Sequence, residues 1–199
     1  LSEWLPHNLL QAQHSTPRRV SVAVWMPDLR YKEARSQIEN ILEKSGRRMS
    51  YGLDGKELWR MNKTGMPLMS PLAVGDVLFA GTGAQEGDAA RPFFAIKAGA
   101  NGDITLAGDA TSNAFVLWSH PRAAGYTPSA LVHQNRVYLV HDTGIMVVLA
   151  ADTGKEIYKA RVGGVGHTFS SSPIAAGNRI YFPDEDGNTI VIEAADEYK

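Results

Sequence analysis

The side chains best suited to chemistry sit late in the chain. Asp184-Glu185-Asp186-Gly187-Asn188 puts oxygen ligands at 184, 186 and 188, the alternation with which a loop wraps calcium. Asp184, Asp186 and Asn188 are therefore the metal candidates. Against them, the glycine stands fourth rather than sixth, and position 195, where a closing glutamate belongs, is Ala195. The same five residues lie between Phe182 and Ile190, which suits a hairpin turn better than a cation. His167 precedes Phe169 and Ser170–Ser172 in a loop leading into the last part of the chain. It is the candidate for a ligand-facing side chain.

Other chemical patterns are weaker. Gly81-Thr82-Gly83-Ala84-Gln85-Glu86-Gly87 has the glycine texture of a dinucleotide loop, but no helix follows and Gly87 comes one position late. Gly163-Gly164-Val165-Gly166 lacks the Gly-Lys-Ser/Thr that would cradle phosphates. The six histidines, His7, His14, His120, His133, His141 and His167, form no metal-binding helix pair. His133 and His141 flank one strand, whose length holds them more than ~20 Å apart. There is no Gly-x-Ser-x-Gly elbow, and no catalytic residue is assigned.

The elements that must position these groups change character near residue 50. Residues 1 to 49 carry 8 Lys/Arg against 5 Asp/Glu, and residues 50 to 199 carry 12 against 16. In the first part, Ser21–Trp25 reads as a strand. Pro27-Asp28 then starts a helix whose apolar face is Tyr31, Ala34, Ile38, Ile41 and Leu42, and Gly46 and Arg47-Arg48 lie at its end. This is a strand–helix appendage of unknown role.

After residue 50 the helical period disappears. Short apolar strands follow one another, among them Val77–Ala80, Phe93–Ile96, Phe115–Trp118, Arg136–Val140, Ile145–Leu149, Arg179–Phe182 and Thr189–Ile192. Several are apolar at consecutive positions, so both faces should be buried, as in a sheet sandwiched between two others. The chain of 199 residues has a net charge of −1, which gives no field for nucleic acid or anionic lipid. It contains no cysteine, which excludes disulfides and thiolate metal sites. No apolar run approaches the roughly 20 residues of a membrane span.

An internal repeat organises the strands. Ser70-Pro71, Thr127-Pro128 and Ser172-Pro173 open successive units, with prolines 57 and 45 residues apart. Each opening leads to a spacer ending in Gly75-Asp76, Gln134-Asn135 or Gly177-Asn178, then an aromatic-containing strand, a turn and a second strand. The middle unit ends Ala151-Asp152-Thr153-Gly154-Lys155-Glu156-Ile157-Tyr158, echoing Leu53-Asp54-Gly55-Lys56-Glu57-Leu58-Trp59. The longer first unit implies insertions near Ala84–Arg91 and Gly99–Asn113. A unit of roughly 40–45 residues is the period of a four-stranded propeller blade.

The repeat resembles the pyrroloquinoline-quinone-like repeat of quinoprotein alcohol dehydrogenase-type β-propellers. Its texture is similar to that of bacterial propellers of the outer-membrane-assembly-lipoprotein type. The resemblance covers residues 50 to 199 and implies a mainly β fold: a partial propeller of about three four-stranded antiparallel blades. The units fall near 50–60, 70–120, 127–162 and 172–199. The resemblance also implies that Trp59, Trp118 and Tyr158 are blade-docking aromatics, with Gly55 and Gly154 shaping the turns before their strands.

A full quinoprotein ring holds pyrroloquinoline quinone over calcium, typically beside a vicinal disulfide that this cysteine-free chain lacks. The expectation is therefore a non-catalytic binding scaffold, periplasmic or secreted and without a cofactor. A fragment of a quinone- and calcium-dependent dehydrogenase is the alternative. Propellers close with about four to eight blades. The chain is thus expected either to be part of a longer protein that supplies the remaining blades, or to close its ring as a homodimer. The start at Leu1 and the mid-motif ending favour the former. A protein partner is expected, and neither nucleic acid nor a membrane span. The loops at Ala84–Arg91, Gly99–Asn113 and Gly163–Ser171 are the first places to look for its contacts.

Overall fold

A computed structural model describes residues 48–51, 56–62, 68–82 and 91–199. The strand–helix appendage, Gly55 and most of the Ala84–Arg91 insertion lie outside the described residues. Arg48 opens a strand rather than closing a helix.

The described chain is all strand and turn, in four successive sheets. Sheet I joins β1 (Arg48–Tyr51), β2 (Glu57–Met61) and β6 (Gly102–Asp103). Sheet II runs β3 (Leu72–Val74), β4 (Val77–Gly81), β5 (Phe93–Lys97), β7 (Val116–His120). Sheet III holds β8 (Leu131–His133), β9 (Arg136–Val140), β10 (Ile145–Ala150) and β11 (Glu156–Arg161). Sheet IV has β12 (Ile174–Ala176), β13 (Arg179–Pro183) and β14 (Thr189–Glu193). Within sheets II, III and IV every pairing is antiparallel. This is a partial β-propeller.

The tight hairpins explain the spacers. Gly75 and Gly177 adopt φ +58° and +57° between the first two strands of sheets II and IV. In sheet III the same turn is Gln134-Asn135, with φ +49° and +58°, the backbone of a type I′ hairpin. Past each turn a carbonyl ties the inner hairpin to the outer part of its sheet: Asp76, Asn135 and Asn178 accept from the N–H of Ala98, Ala151 and Ala194.

Consecutive apolar residues are buried in sheets II and III because each of these is covered on both sides. Side chains alternate between faces along a strand, so Val137, Leu139, Val147 and Leu149 pack towards sheet II, beside Phe79, Phe93 and Trp118. Tyr138, Val140, Met146 and Val148 pack towards sheet IV, against Ile180, Phe182 and Ile192. Sheet I meets sheet II through Trp59 and Met61 against Phe94, Ile96 and Val116. Full burial of each such aliphatic side chain contributes about 1.5–3 kcal/mol.

Two features depart from the sequence pattern. The Gly99–Asn113 insertion contributes β6, which adds to sheet I in parallel, Gly102 beside Trp59 and Asp103 beside Arg60. The units also open on serine rather than proline. Ser70 N–H donates to Ser129 Oγ at 3.0 Å, and Ser129 N–H to Ser172 Oγ at 3.0 Å, across 59 and 43 residues. Thr127-Pro128 is thus two positions out of register with Ser70-Pro71 and Ser172-Pro173, and Ser129 is their structural counterpart.

Candidate functional site on the loop face

The ends of β4, β9 and β13 carry hairpins at one edge of the sheets. The connections 121–130 and 162–173 cross the same edge. The residue that leaves each strand is polar and shielded from water. Thr82 is fully buried, Asp184 is 7% exposed, and His141 is half-buried. Their equivalence is read from the backbone: Thr82, His141 and Asp184 donate N–H to Pro92, Ile145 and Asn188 carbonyls. A buried polar group needs a partner, and each finds one nearby. Thr82 Oγ1 reaches Pro92 O at 3.4 Å, and His141 Nε2 reaches Ala123 O at 3.2 Å.

Asp184 is the most heavily bonded group of this face. Its Oδ1 accepts the backbone N–H of Asp186 (3.1 Å) and Asn188 (2.6 Å). Its Oδ2 accepts Asn188 Nδ2 (2.9 Å) and His167 Nδ1 (2.6 Å). The Asn188 amide holds the carboxyl down to about 2, with help from His167 and in opposition to burial. His167 comes from the connection between sheets III and IV and fits because Gly163 lacks a side chain; a Cβ there would stand 2.9 Å from the imidazole. Beside this pair, Thr168 Oγ1 donates to Glu185 Oε2 at 3.0 Å, and Glu185 N–H to Thr168 O at 3.0 Å.

One sheet away the pattern is similar. Arg91 Nη1 pairs with Asp142 Oδ1 at 3.3 Å, linking sheet II to the β9–β10 hairpin, while Phe169 N–H donates to Asp142 O. Burial pushes His141 below its usual pKa, opposed by its bond to Ala123. His120 is likewise lowered by burial, and its Nδ1 accepts Arg122 N–H at 3.3 Å. His133 lies at the opposite edge, its Nε2 2.9 Å from Gly177 O.

The arrangement of Asp184, Asp186 and Asn188 does not fit a calcium loop. Both oxygens of Asp184 already accept N–H groups, Asn188 turns its amide nitrogen towards them, and the Asp186 side chain is exposed. Among the described residues no three His, Cys, Asp or Glu converge as a metal site. What the geometry does is fasten loops to one another. His167 and Asp184, 17 residues apart, meet because their loops lie on one edge; no local spacing announces this.

The aromatic candidates lie in the sheet interfaces. Trp118 Nε1 donates to Ala151 O of sheet III at 3.0 Å, and its ring fills the space that Gly154 leaves, where a Cβ would overlap the indole carbons. Trp59 is 4% exposed and packs against sheet II. Tyr158 is half-buried against sheet IV, its hydroxyl without a hydrogen-bond partner. The serine ladder was not legible, because the middle unit carries its proline before Ser129. A signal existed: Asp76, Asn135 and Asn178 share the serines' spacing of 59 and 43.

Comparisons with known proteins agree with this architecture. No curated protein sequence matches the chain. The structure of BamB from Moraxella catarrhalis aligns over 75% of this chain and 44% of its own, with TM-score 0.53 and 16% identity. A europium-containing methanol dehydrogenase aligns over 62% of this chain and 22% of its own (TM-score 0.45, 14% identity). The quinohemoprotein alcohol dehydrogenase of Comamonas testosteroni aligns over 68% and 21% (TM-score 0.47, 16% identity). The chain thus spans less than half the length of each. Residues 50–197 match the family model described as outer membrane protein assembly factor BamB, and the chain belongs to that family of pyrroloquinoline-quinone-like β-propeller proteins.

Proposed function

We propose that this chain is a non-catalytic β-propeller scaffold, periplasmic or secreted, that presents its loops and sheet edges to a protein partner. The observation that carries this reading is the internal use of the polar groups on the loop face: Asp184 holds His167 and its own hairpin, Asp142 holds Arg91, and His141 holds Ala123. These acids and bases are committed to holding the loops together. A family described by an outer membrane assembly factor supports a protein partner at the cell envelope. The ring is completed by the remaining blades of a longer chain or by a second copy.

The alternative is a quinone-dependent dehydrogenase fragment. Titration with pyrroloquinoline quinone and calcium, followed by tryptophan fluorescence and by dye-linked alcohol oxidation, separates the two. The scaffold reading expects neither saturable quenching nor turnover. Calcium-dependent quinone binding with alcohol oxidation would replace it with the enzyme.

A further inference from the structure

The mouth between the outer strands of sheets II and III gathers cations in an acidic part of the chain. Residues 50 to 199 carry 12 Lys/Arg against 16 Asp/Glu. Register shows which side chains meet across the gap. His120 stands opposite Phe93, on the face of sheet II that packs against sheet III. Lys159 stands opposite Val147, and Arg161 opposite Ile145, on the face of sheet III that looks back. Lys159 is close enough to act on the charge of both His120 and His141. Arg91 reaches across from sheet II to Asp142, and Arg161 donates to the carbonyl of the next residue, Thr143. Arg122 is exposed beside them, its backbone bridged to Arg91. Four of the twelve cations thus share this mouth with two of the sixteen carboxylates, Asp142 and Glu156.

Each histidine at this mouth spends one ring nitrogen on the fold and keeps the other. The backbone N–H of Arg122 donates to His120 Nδ1 at 3.3 Å, so neutral His120 carries its proton on Nε2. His141 Nε2 faces Ala123 O at 3.2 Å and holds its proton there, which leaves Nδ1 as the place for a second one. Neither His120 Nε2 nor His141 Nδ1 is sealed from water. Burial lowers the pKa of both rings. At His141, Arg91 and Lys159 act with burial, against the Ala123 bond and Asp142. At His120, Glu156 opposes burial and Lys159 adds to it. An anion placed among these groups meets Lys159 and the His120 Nε2–H, and it offsets the charges that keep His141 neutral.

We propose that the mouth between β7 and β11 is a binding site for a small tetrahedral oxyanion of the sulfate or phosphate class. Lys159 and His120 Nε2–H contact the anion, Arg91 and Arg161 add positive field from the two sides, and His141 takes up a proton on Nδ1 as it binds. Charge-assisted hydrogen bonds from donors fixed by the two sheets supply the affinity. The occupant is a small free anion, because the excess of carboxylates over residues 50 to 199 repels an extended anionic surface. The site does not depend on the scaffold reading and adds a ligand to it.

The test titrates the intact chain with sodium sulfate, whose charge does not change near neutral pH, and follows the Cε1–H of each histidine by NMR. Sodium chloride at equal ionic strength is the control for screening. Saturable shifts are expected at His120 and His141 and none at His133, which lies at the opposite edge. Sulfate should move the titration midpoint of His141 upward, and affinity should rise about fivefold on acidification through that midpoint. Lys159→Gln should weaken binding about tenfold, and Lys159→Arg should restore most of it. Lys155→Gln, which removes an exposed charge just before β11, should leave binding unchanged. Shifts that chloride reproduces, shifts of equal size at His133, or an equal loss in Lys155→Gln would overturn the site. Cosedimentation with phosphatidylcholine vesicles containing phosphatidic acid, without a response to sulfate, would overturn it in favour of a lipid surface.

Discussion

The interface between sheets II and III and the one between sheets III and IV are built on the same register, yet only in the first is the aromatic of the outer strand locked by a hydrogen bond. Trp118 and Tyr158 occupy equivalent places on β7 and β11. Trp118 finds a carbonyl, Ala151 O, and a glycine, Gly154, whose φ of +70° and missing side chain admit the indole. Tyr158 finds neither. After Ala194 the chain reads Ala195-Asp196-Glu197 in place of Asp152-Thr153-Gly154, and the hydroxyls of Tyr158 and Tyr138 are buried without partners. Burial pushes both tyrosines up in pKa. Tyr158 thus contributes packing alone, its hydroxyl desolvated without return, and the polar ties between these sheets lie elsewhere, at His133–Gly177, Gln134–Asn178 and Arg136–Asp196. In this repeat the apolar register recurs from unit to unit, while the polar lock does not.

The sharpest break in this comparison is Gly154→Ala. The new Cβ would overlap the Trp118 ring, in a backbone region unfavourable to side chains, so destabilisation of about 3 kcal/mol is expected in urea unfolding. Gly99→Ala, at φ +80° with open space around it, should cost only about 1 kcal/mol. Equal losses at the two sites would remove the clash from the explanation. Next in size, Trp118→Phe should cost about 2 kcal/mol through a lost hydrogen bond and lost contact area. Tyr158→Phe should be neutral or stabilising by up to about 1 kcal/mol, since it deletes an unsatisfied hydroxyl.

Much of this architecture could be read from residue types. Apolar strands bounded by Gly-Asp, Gln-Asn and Gly-Asn turns specify sheets II, III and IV, because turn backbone and β-branched runs act locally. Trp59 and Tyr158 stand at the end of a motif they share, whereas Trp118 lacks that motif and is grouped with them by the resemblance of the repeat. Contacts between loops did not follow. The His167–Asp184 bond and the Arg91–Asp142 pair join segments that approach only once the sheets stack, and the parallel addition of β6 rests on two residues with no strand pattern of their own. The serine ladder was hidden because Pro128 precedes Ser129, whereas Pro71 and Pro173 follow Ser70 and Ser172.

Acid should show the loop lock next. Asp184 is held at about 2, below the ordinary 3.8, so on acidification the unfolded chain takes up its proton first. Its contribution is full above about pH 4 and is lost as pH falls towards 2. Asp184→Asn should flatten that part of the stability profile measured by denaturant midpoints. An unchanged slope would mean that the carboxylate does not hold the hairpin. The smallest effect expected is at Gln134, whose φ of +49° matches the glycines at the same turn of sheets II and IV. Gln134→Gly should gain about 0.5 kcal/mol in thermal or denaturant unfolding, offset in part by loss of its 3.3 Å bond to Asn178.

The most direct measurement of the central claim is hydrogen exchange at the Trp118 indole N–H, assigned by NMR through Trp118→Phe. The lock onto Ala151 predicts exchange as slow as that of the buried amides of β9 and β10, and release of that protection in Gly154→Ala. An indole N–H that exchanges as freely as one in solvent would contradict the lock, and with it the account of how these sheets are joined.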